Sequence, residues 1–279
     1  MRSLLAVLTH ECSAAACLRG ADAAAAVLNA QRIDVLHVRV APLATIVVAA
    51  EILTESQNAQ IEAGAAREAE ALKTLFDAWG RERVQRGEDK SLPEIAWLDV
   101  TGSPYEEVAR RGREADLIVI GAPASDADVE GRQVLRAAIF DTGRPFLRVP
   151  ARLSGPFGGH VAVAWKEGEA ARRAVTAGLP WLKRAERISV IIAEEAVTAA
   201  SAAAGVLALL ASHGLAAQLV TAPRGHTDIG ATLLSEADRL GADLLVMGAY
   251  RRPRLVELVL GGATVAILRQ AMIPLLMQH

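Results

Sequence analysis

The chain has 279 residues, and its 30 Lys and Arg residues against 32 Asp and Glu residues leave a net charge of −2. This balance excludes the basic footprint that nucleic-acid binding or attachment to an anionic membrane requires. Hydrophobic residues make up 52% of the chain but aromatic residues only 4%, which favours cores of Ala, Val, Leu and Ile under helix-covered parallel sheets. The length predicts two domains.

The first predicted element is a strand, because the short apolar run at residues 4–8 is followed at once by polar residues, unlike the apolar region of a signal peptide. Cys12 and Cys17 come next, at a spacing that matches neither a zinc site nor a redox pair. Two cysteines are too few for a disulfide framework. The apolar stretch at residues 41–50 is about half the ~20 residues that a membrane span needs. We therefore expect a cytoplasmic protein without a membrane segment.

A long amphipathic helix is predicted within residues 41–90, where the first half of the chain carries extra length. Its apolar stripe consists of Ile61, Ala65, Ala69, Leu72, Phe76 and Trp79. Such helical spacing is typical of a face that docks on a sheet. We expect this segment, with Ile46, Val47 and Val48 in its apolar lead-in, to lie outside the core that the two halves share.

An internal repeat divides the chain. Residues 115–123 and 242–250 nearly match at an offset of 127 residues, and each predicts a buried strand that ends in glycine. Each half closes on a further strand, at residues 144–149 and 273–278, and we expect these two strands to pair with each other. A linker rich in Gly and Pro places the boundary near Ser154, which predicts domains at residues 1–153 and 154–279.

Strands and helices alternate in both halves, which predicts an α/β fold with two tandem, doubly wound parallel sheets. Ligands of such sheets bind beyond the carboxyl ends of the strands, where the strand order reverses. In the second half, this rule selects Trp165 and Lys166, Ala193, the loop that begins at Gly248, and the predicted helix start at residues 261–264.

The predicted helix start has the chemistry of a phosphate site. Gly261 and Gly262 expose backbone N–H groups at the positive end of a helix dipole, and Thr264 adds a hydroxyl. Arg251, Arg252 and Arg254 precede it in the same loop, and guanidinium groups bind phosphate through paired hydrogen bonds. The alternative is that the glycines only permit a tight turn and the arginines are solvated.

The stretch from Gly248 to Thr264 resembles the universal stress protein family. Members that bind ATP carry Gly, two residues, Gly, nine residues, Gly, and then Ser or Thr. Here Gly248 and Gly261 keep the first and third glycines, while Arg251 and Gly262 replace the second glycine and the hydroxyl residue. The resemblance implies five-stranded domains like those of adenine-nucleotide hydrolases, arranged as a pseudo-twofold dimer within one chain.

The resemblance also implies a cofactor, ATP or another adenine nucleotide, bound by the second domain. The residues expected to contact it are Trp165, Lys166, Ala193, Gly248, Arg251, Arg254, Gly261, Gly262, Ala263 and Thr264. Nucleotide-binding members use an acidic residue after the first strand, a position that Lys166 occupies in the second half and His10 in the first. These departures count against ordinary ATP recognition.

The first half keeps less of the motif. Its loop after Gly121 lacks a second glycine, and Val134 stands where the third is expected. Asp126, Asp128 and Glu130 make this loop acidic, so a triphosphate would be repelled. We expect no nucleotide in this half. We also expect no metal, because no complete ligand set follows.

Two functions remain open. The first is a nucleotide-responsive regulatory or stress-response protein, and the alternative is a scaffold or chaperone-like interaction protein with relic sites. A slow nucleotide hydrolase is the least favoured reading, because no general base or magnesium carboxylate accompanies the predicted phosphate loop. No catalytic residue is predicted, and a protein partner or a homodimer is compatible with either function.

Overall fold

The computed structural model describes residues 2–40, 55–85, 92–123, 125, 128–153, 155–193, 196–222, 228–249 and 262–279. The chain divides into two compact units, residues 1–144 and residues 145–279. Among the described residues, no helix combines the length and the apolar character that crossing a membrane requires.

The first unit alternates strands with helices. Its elements are β1 (Ser3–Leu8), α1 (Glu11–Leu28), β2 (Arg32–Arg39), α2 (Glu55–Gln85), β3 (Glu94–Thr101), α3 (Pro104–Gly112), β4 (Leu117–Gly121) and α4 (Val129–Phe140). The strands are parallel in the order β3-β2-β1-β4. Helix α1 contacts α2, and α3 contacts α4. The strand order reverses between β1 and β4, which is where a doubly wound sheet opens a cleft.

The second unit repeats this plan. Its elements are β5 (Phe146–Val149), β6 (His160–Ala164), α5 (Glu169–Leu182), β7 (Arg187–Ile192), α6 (Ala196–Ser212), β8 (Gln218–Thr221), α7 (Ile229–Arg239), β9 (Leu244–Gly248), α8 (Gly262–Gln270) and β10 (Leu275–Gln278). Strands β6 to β10 are parallel in the order β10-β9-β6-β7-β8. The predicted α/β fold with mostly parallel sheets is confirmed.

The two closing strands pair, as the sequence predicts. Strand β5 runs antiparallel to β10, with Arg148 opposite Leu275 and Phe146 opposite Met277. Because of this pairing, β5 belongs to the second compact unit although it closes the first half of the sequence repeat. The compact units therefore divide between Arg144 and Pro145. The predicted boundary at Ser154 lies later in the chain.

The repeated stretches at residues 115–123 and 242–250 both begin with Ala-Asp, and the aspartate has a structural role in both units. The Asp116 carboxylate accepts a hydrogen bond from Ser3 N at 2.8 Å, at the start of β1. The Asp243 carboxylate accepts hydrogen bonds from Gly158 N, Gly159 N and His160 N at 2.8–3.1 Å, at the start of β6. Each aspartate thus ties the start of one central strand to its neighbour, which explains why the pair recurs.

The long helix α2 corrects one expectation. It was predicted to lie outside the common core, but it contacts α1, β2 and β3. It buries Ala69, Leu72, Phe76 and Trp79 against them. It also follows β2 as α6 follows β7, so it is the crossover helix of the unit. Residues 46–48 lie outside the described residues.

Arg148 on β5 is a buried cation, 4% exposed. Its Nη1 donates to Ala271 O at 2.6 Å, just after α8, and its Nε has no partner among the described residues. Burial lowers the pKa of the Arg148 guanidinium to about 10, which indicates a substantial cost of holding the charge there.

We expect Arg148→Met to change the free energy of unfolding of the second unit by less than about 1 kcal/mol, because removal of the buried charge offsets the lost hydrogen bond. Arg148→Ala should cost about 2–3 kcal/mol, since it leaves a cavity as well. Urea unfolding of the two variants checks this. A loss in Arg148→Met as large as that in Arg148→Ala would show that the charge itself is stabilising.

Candidate functional site

The strand order of the second unit predicts a cleft at the carboxyl ends of β6 and β9. These strands are neighbours, but the chain leaves β6 toward β7 and leaves β9 toward β10 on the opposite side. The strand order therefore reverses between them, and two crossover connections diverge there. This is the place where doubly wound sheets bind ligands. Trp165 and Lys166 follow β6, while Gly248 ends β9 and Ala249 follows it.

Gly248 is in very close contact with the first turn of α5. A Cβ atom on Gly248 would lie 2.7 Å from Ala171 N and 2.8 Å from Ala170 C. Both atoms are backbone, so neither can move without displacing the helix. The glycine at the end of β9 is therefore required by packing, whether or not a ligand binds beside it.

Trp165 and Lys166 differ in what they offer the cleft. The Trp165 side chain is buried, and its Nε1 donates to Ala202 O on α6 at 3.0 Å. Lys166 is exposed and so is free to reach an anion in solution. The next residue, Glu167, forms an ion pair with Arg172 at 2.6 Å. Ala193, at the end of β7, is half-buried.

Helix α8 begins at Gly262, where the sequence predicts a phosphate-binding helix start. Ala263 is in the first turn of α8, and Thr264 is half-buried in the same turn. Arg251, Arg254 and Gly261 lie outside the described residues. The structure thus places the helix start after β9 in the chain, with a glycine at its first residue.

The corresponding position in the first unit lies between β1 and β4, where different side chains are found. Gly121 ends β4, and a Cβ atom on it would lie 2.7 Å from Ser13 Oγ, in the first turn of α1. At the start of α4, Asp128 is the N-cap, and its Oδ1 accepts a hydrogen bond from Gly131 N at 2.7 Å. A carboxylate of the chain itself therefore occupies this helix N-terminus.

His10 joins this cap to the long helix α2. It follows β1, and its Nε2 lies 3.0 Å from Asp128 Oδ1 while its Nδ1 lies 2.9 Å from Glu68 Oε1. Burial by itself lowers the pKa of His10, but the hydrogen bonds and charges of the two carboxylates outweigh it. The net effect is a pKa raised above its ordinary value of 6.5.

Glu130 adds a third carboxylate to this cluster. Burial raises the pKa of the Glu130 carboxyl, His10 opposes that rise, and the charges of Glu68 and Asp128 add to it. In the part of the chain that the structure describes, no group of three or more His, Cys, Asp or Glu side chains has the arrangement of a metal site. The cluster consists of one imidazole and the carboxylates that surround it.

Two other residues that the sequence singles out, Val134 and Cys17, are packed in the interior of the first unit. Val134, aligned with the third glycine, is buried within α4 and lies past the first turn of that helix. The Cys17 thiol is buried between Val7 O and Val119 O, each at 3.6 Å, and burial raises its pKa to about 12. It is therefore protonated at neutral pH and unsuited to nucleophilic chemistry.

Sequence patterns single out His10 and Asp128 separately but do not bring them together, and they give no sign of Glu68. One signal was available for Asp128, because an aspartate three residues before Gly131 at a predicted helix start is typical of an N-cap. Glu68 has no local signal. It reaches His10 only because α2 packs beside α1, 58 residues along the chain.

Comparison with known proteins gives a family match in the second unit and a similarity of fold over the whole chain. Residues 162–279 match the model of the Universal stress protein family. No curated protein sequence matches the chain significantly. Among solved structures, the chain is similar to a universal stress protein from Archaeoglobus fulgidus DSM 4304, with 12% identity, 99% of this chain and 97% of that chain covered, and a TM-score of 0.68.

A functionally unknown protein from Pseudomonas aeruginosa PAO1 is similar as well, with 16% identity, 100% of this chain and 92% of that chain covered, and a TM-score of 0.63. At these identities the likeness concerns the fold, which extends over both units. The family match concerns the second unit from β6 onward. Residues 162–279 therefore match the universal stress protein family, and the fold of the whole chain is similar to that of a universal stress protein.

Proposed function

We propose that the second unit binds an adenine nucleotide and that the protein is a nucleotide-responsive regulatory protein of the stress response, active in the cytoplasm. The observation that carries the proposal is the start of α8 at Gly262, after the strand that borders the reversal of strand order. A glycine there carries no side chain that could block the first N–H groups of the helix, and aligned peptide dipoles favour a phosphate at that end.

Positive charge in the sequence around the predicted site supports the same assignment. Arg251 and Arg254 lie in the connection between β9 and α8, and Lys166 is exposed after β6. Guanidinium groups bind phosphate oxygens in pairs, so these arginines compensate for the missing second glycine of the family motif. The first unit contrasts with this, because Asp128 caps its equivalent helix with a carboxylate.

The adenine base would lie near the ends of β6 and β7. Ala193 is half-buried there, and its small side chain would not obstruct a flat ring. The indole of Trp165 is buried and its N–H is bonded to Ala202 O, so it forms a wall beneath the base rather than an exposed stacking platform. Packing of the base on this apolar surface would supply affinity without base-specific hydrogen bonds.

Binding rather than hydrolysis is the activity that these residues favour. Glu167, the carboxylate nearest the end of β6 in sequence, is exposed and paired with Arg172. General-base catalysis needs a carboxylate directed at the reacting water, and Mg²⁺ needs one beside the phosphates. The bound state itself is then the signal that partner proteins would recognise.

The substitution Gly262→Asp tests the proposal. It places a carboxylate at the first residue of α8, where the phosphates are expected, so we expect ATP affinity to fall at least about 100-fold. Titration calorimetry at low salt measures the affinity, and circular dichroism verifies that the variant is folded.

Val129→Asp is the matched control, because Val129 is the first residue of α4 in the first unit and is 54% exposed. We expect it to leave ATP binding unchanged. Equal affinity in Gly262→Asp and the unmodified protein would overturn the assignment of the phosphate site. Absence of any adenine nucleotide binding in the unmodified protein would overturn the function and favour the scaffold alternative.

A further inference from the structure

His10 occupies a junction of three elements in the first unit. It lies between the end of β1 and the start of α1, where it is the N-cap residue of α1 but makes no side-chain cap. Its ring instead contacts Glu68 on α2 and Asp128 at the start of α4. The His10 side chain is 27% exposed, so protons from solvent reach it.

With both carboxyl groups ionised, the two contacts together require a charged imidazole. Both acceptors are carboxylate oxygens, at 2.9 Å from Nδ1 and 3.0 Å from Nε2. A neutral imidazole has one N–H donor, and its other nitrogen is an acceptor. Only the imidazolium can donate to Glu68 and Asp128 at once. The geometry is therefore that of the protonated state.

The surrounding charges favour that protonated state. Glu68 comes from α2, Asp128 and Glu130 come from the start of α4, and Glu11 follows His10 directly on α1. The first turn of α4 also carries Arg132, whose backbone N–H bonds to Asp128 O. Loss of the proton from His10 would leave the Glu68 and Asp128 carboxylates on either side of a neutral ring, and like charges repel.

We propose that His10 is a pH-sensitive latch that holds α2 and the start of α4 together over the cleft of the first unit. The closed latch keeps the Asp128 carboxylate on both the imidazolium and Gly131 N, at the N-terminus of α4. When the imidazole loses its proton, one of the two carboxylate bonds is lost. The contact between His10 and α2 is the weaker of the two, because Glu68 is 36% exposed and Asp128 is 2% exposed.

The direction of the pH dependence follows from linkage. The folded chain holds the His10 proton more tightly than the unfolded chain, because the pKa of His10 is raised above 6.5. The stabilisation is fully present below pH 6.5 and is lost as the pH rises through the raised pKa. Glu130 acts in the same direction at lower pH, since its raised pKa makes the folded state lose stability as that carboxyl ionises.

Two measurements on the full chain test the latch. Histidine side-chain NMR should show that His10 titrates above pH 6.5, with both nitrogens protonated at pH 6. Hydrogen exchange should show protection of residues 62–76 falling about fivefold between pH 6 and pH 8, after correction for the intrinsic exchange rate. Residues 196–212, in α6 of the second unit, should show no such change.

Variants separate the latch from a general pH effect. We expect His10→Gln to abolish the pH dependence of protection in α2, and Glu68→Gln to lower the pKa of His10 and to shrink that dependence. His213→Gln, at an exposed histidine of the second unit, should retain it. A titration of His10 at or below pH 6.5 would overturn the proposal, as would a pH dependence that is undiminished in Glu68→Gln or that persists in His10→Gln.

Discussion

Gly248→Ala is expected to lower the free energy of unfolding of the second unit by about 3 kcal/mol. The added methyl group would lie 2.7 Å from Ala171 N and 2.8 Å from Ala170 C, both in the backbone of α5. Overpacking against a side chain can be relieved by a change of rotamer, but here a helix must shift away from the sheet. Urea unfolding, followed by hydrogen exchange in peptides from each unit, measures the effect.

Gly121→Ala in the first unit is the matched comparison. Its added methyl group would meet Ser13 Oγ and Cβ at 2.7 and 2.8 Å, which are side-chain atoms. We therefore expect Ser13→Gly to restore part of the stability lost in Gly121→Ala, whereas Ala171→Gly should restore none of that lost in Gly248→Ala. Rescue in both units would contradict the role assigned to the α5 backbone.

Asp22→Ala is expected to lower the free energy of unfolding of the first unit by about 3 kcal/mol. The Asp22 carboxylate accepts hydrogen bonds from Arg83 Nε at 2.8 Å and from Trp79 Nε1 at 2.6 Å. Arg83 is 5% exposed and lies over the Trp79 ring. Removal of the carboxylate leaves a buried guanidinium without its ion pair and an indole N–H without its acceptor, and both are costly.

Asp77→Ala provides the control for Asp22→Ala. Asp77 pairs with Lys73 along the exposed side of α2, where both side chains are about 40% exposed. An exposed pair of this kind contributes little, so we expect a loss below about 0.5 kcal/mol. Similar losses in Asp22→Ala and Asp77→Ala, measured by urea unfolding, would contradict the assignment of the Asp22 cluster as a buried anchor.

The strand and helix plan could be predicted because its signals are local. Residues 117–121 and 244–248 are continuous apolar runs that end in glycine, and such runs are typical of strands covered on both sides. The pairing of β5 with β10 was also predictable, from the repeat and the similar ends of the two halves. The sequence pattern alone was sufficient to predict these elements, because both halves of the chain repeat it.

The site of the first unit could not be predicted in the same way. His10, Glu68 and Asp128 come from three separate segments, and their meeting depends on how α2 packs beside α1. The sequence predicts a peripheral position for α2, because this helix is far longer than its counterpart α6. That prediction is wrong. Half-buried polar residues carry no periodic signal, so three-dimensional packing alone brings this cluster together.

The pairing of β5 with β10 also sets an order on biosynthesis. Residues 150–274 lie between the two strands, so the ladder between them cannot form until that whole stretch has been translated. At about 5–20 residues per second, β5 waits roughly 6–25 s for its partner. Through that interval the growing chain presents a strand edge without its partner, which is the kind of surface that pairs with other chains and aggregates.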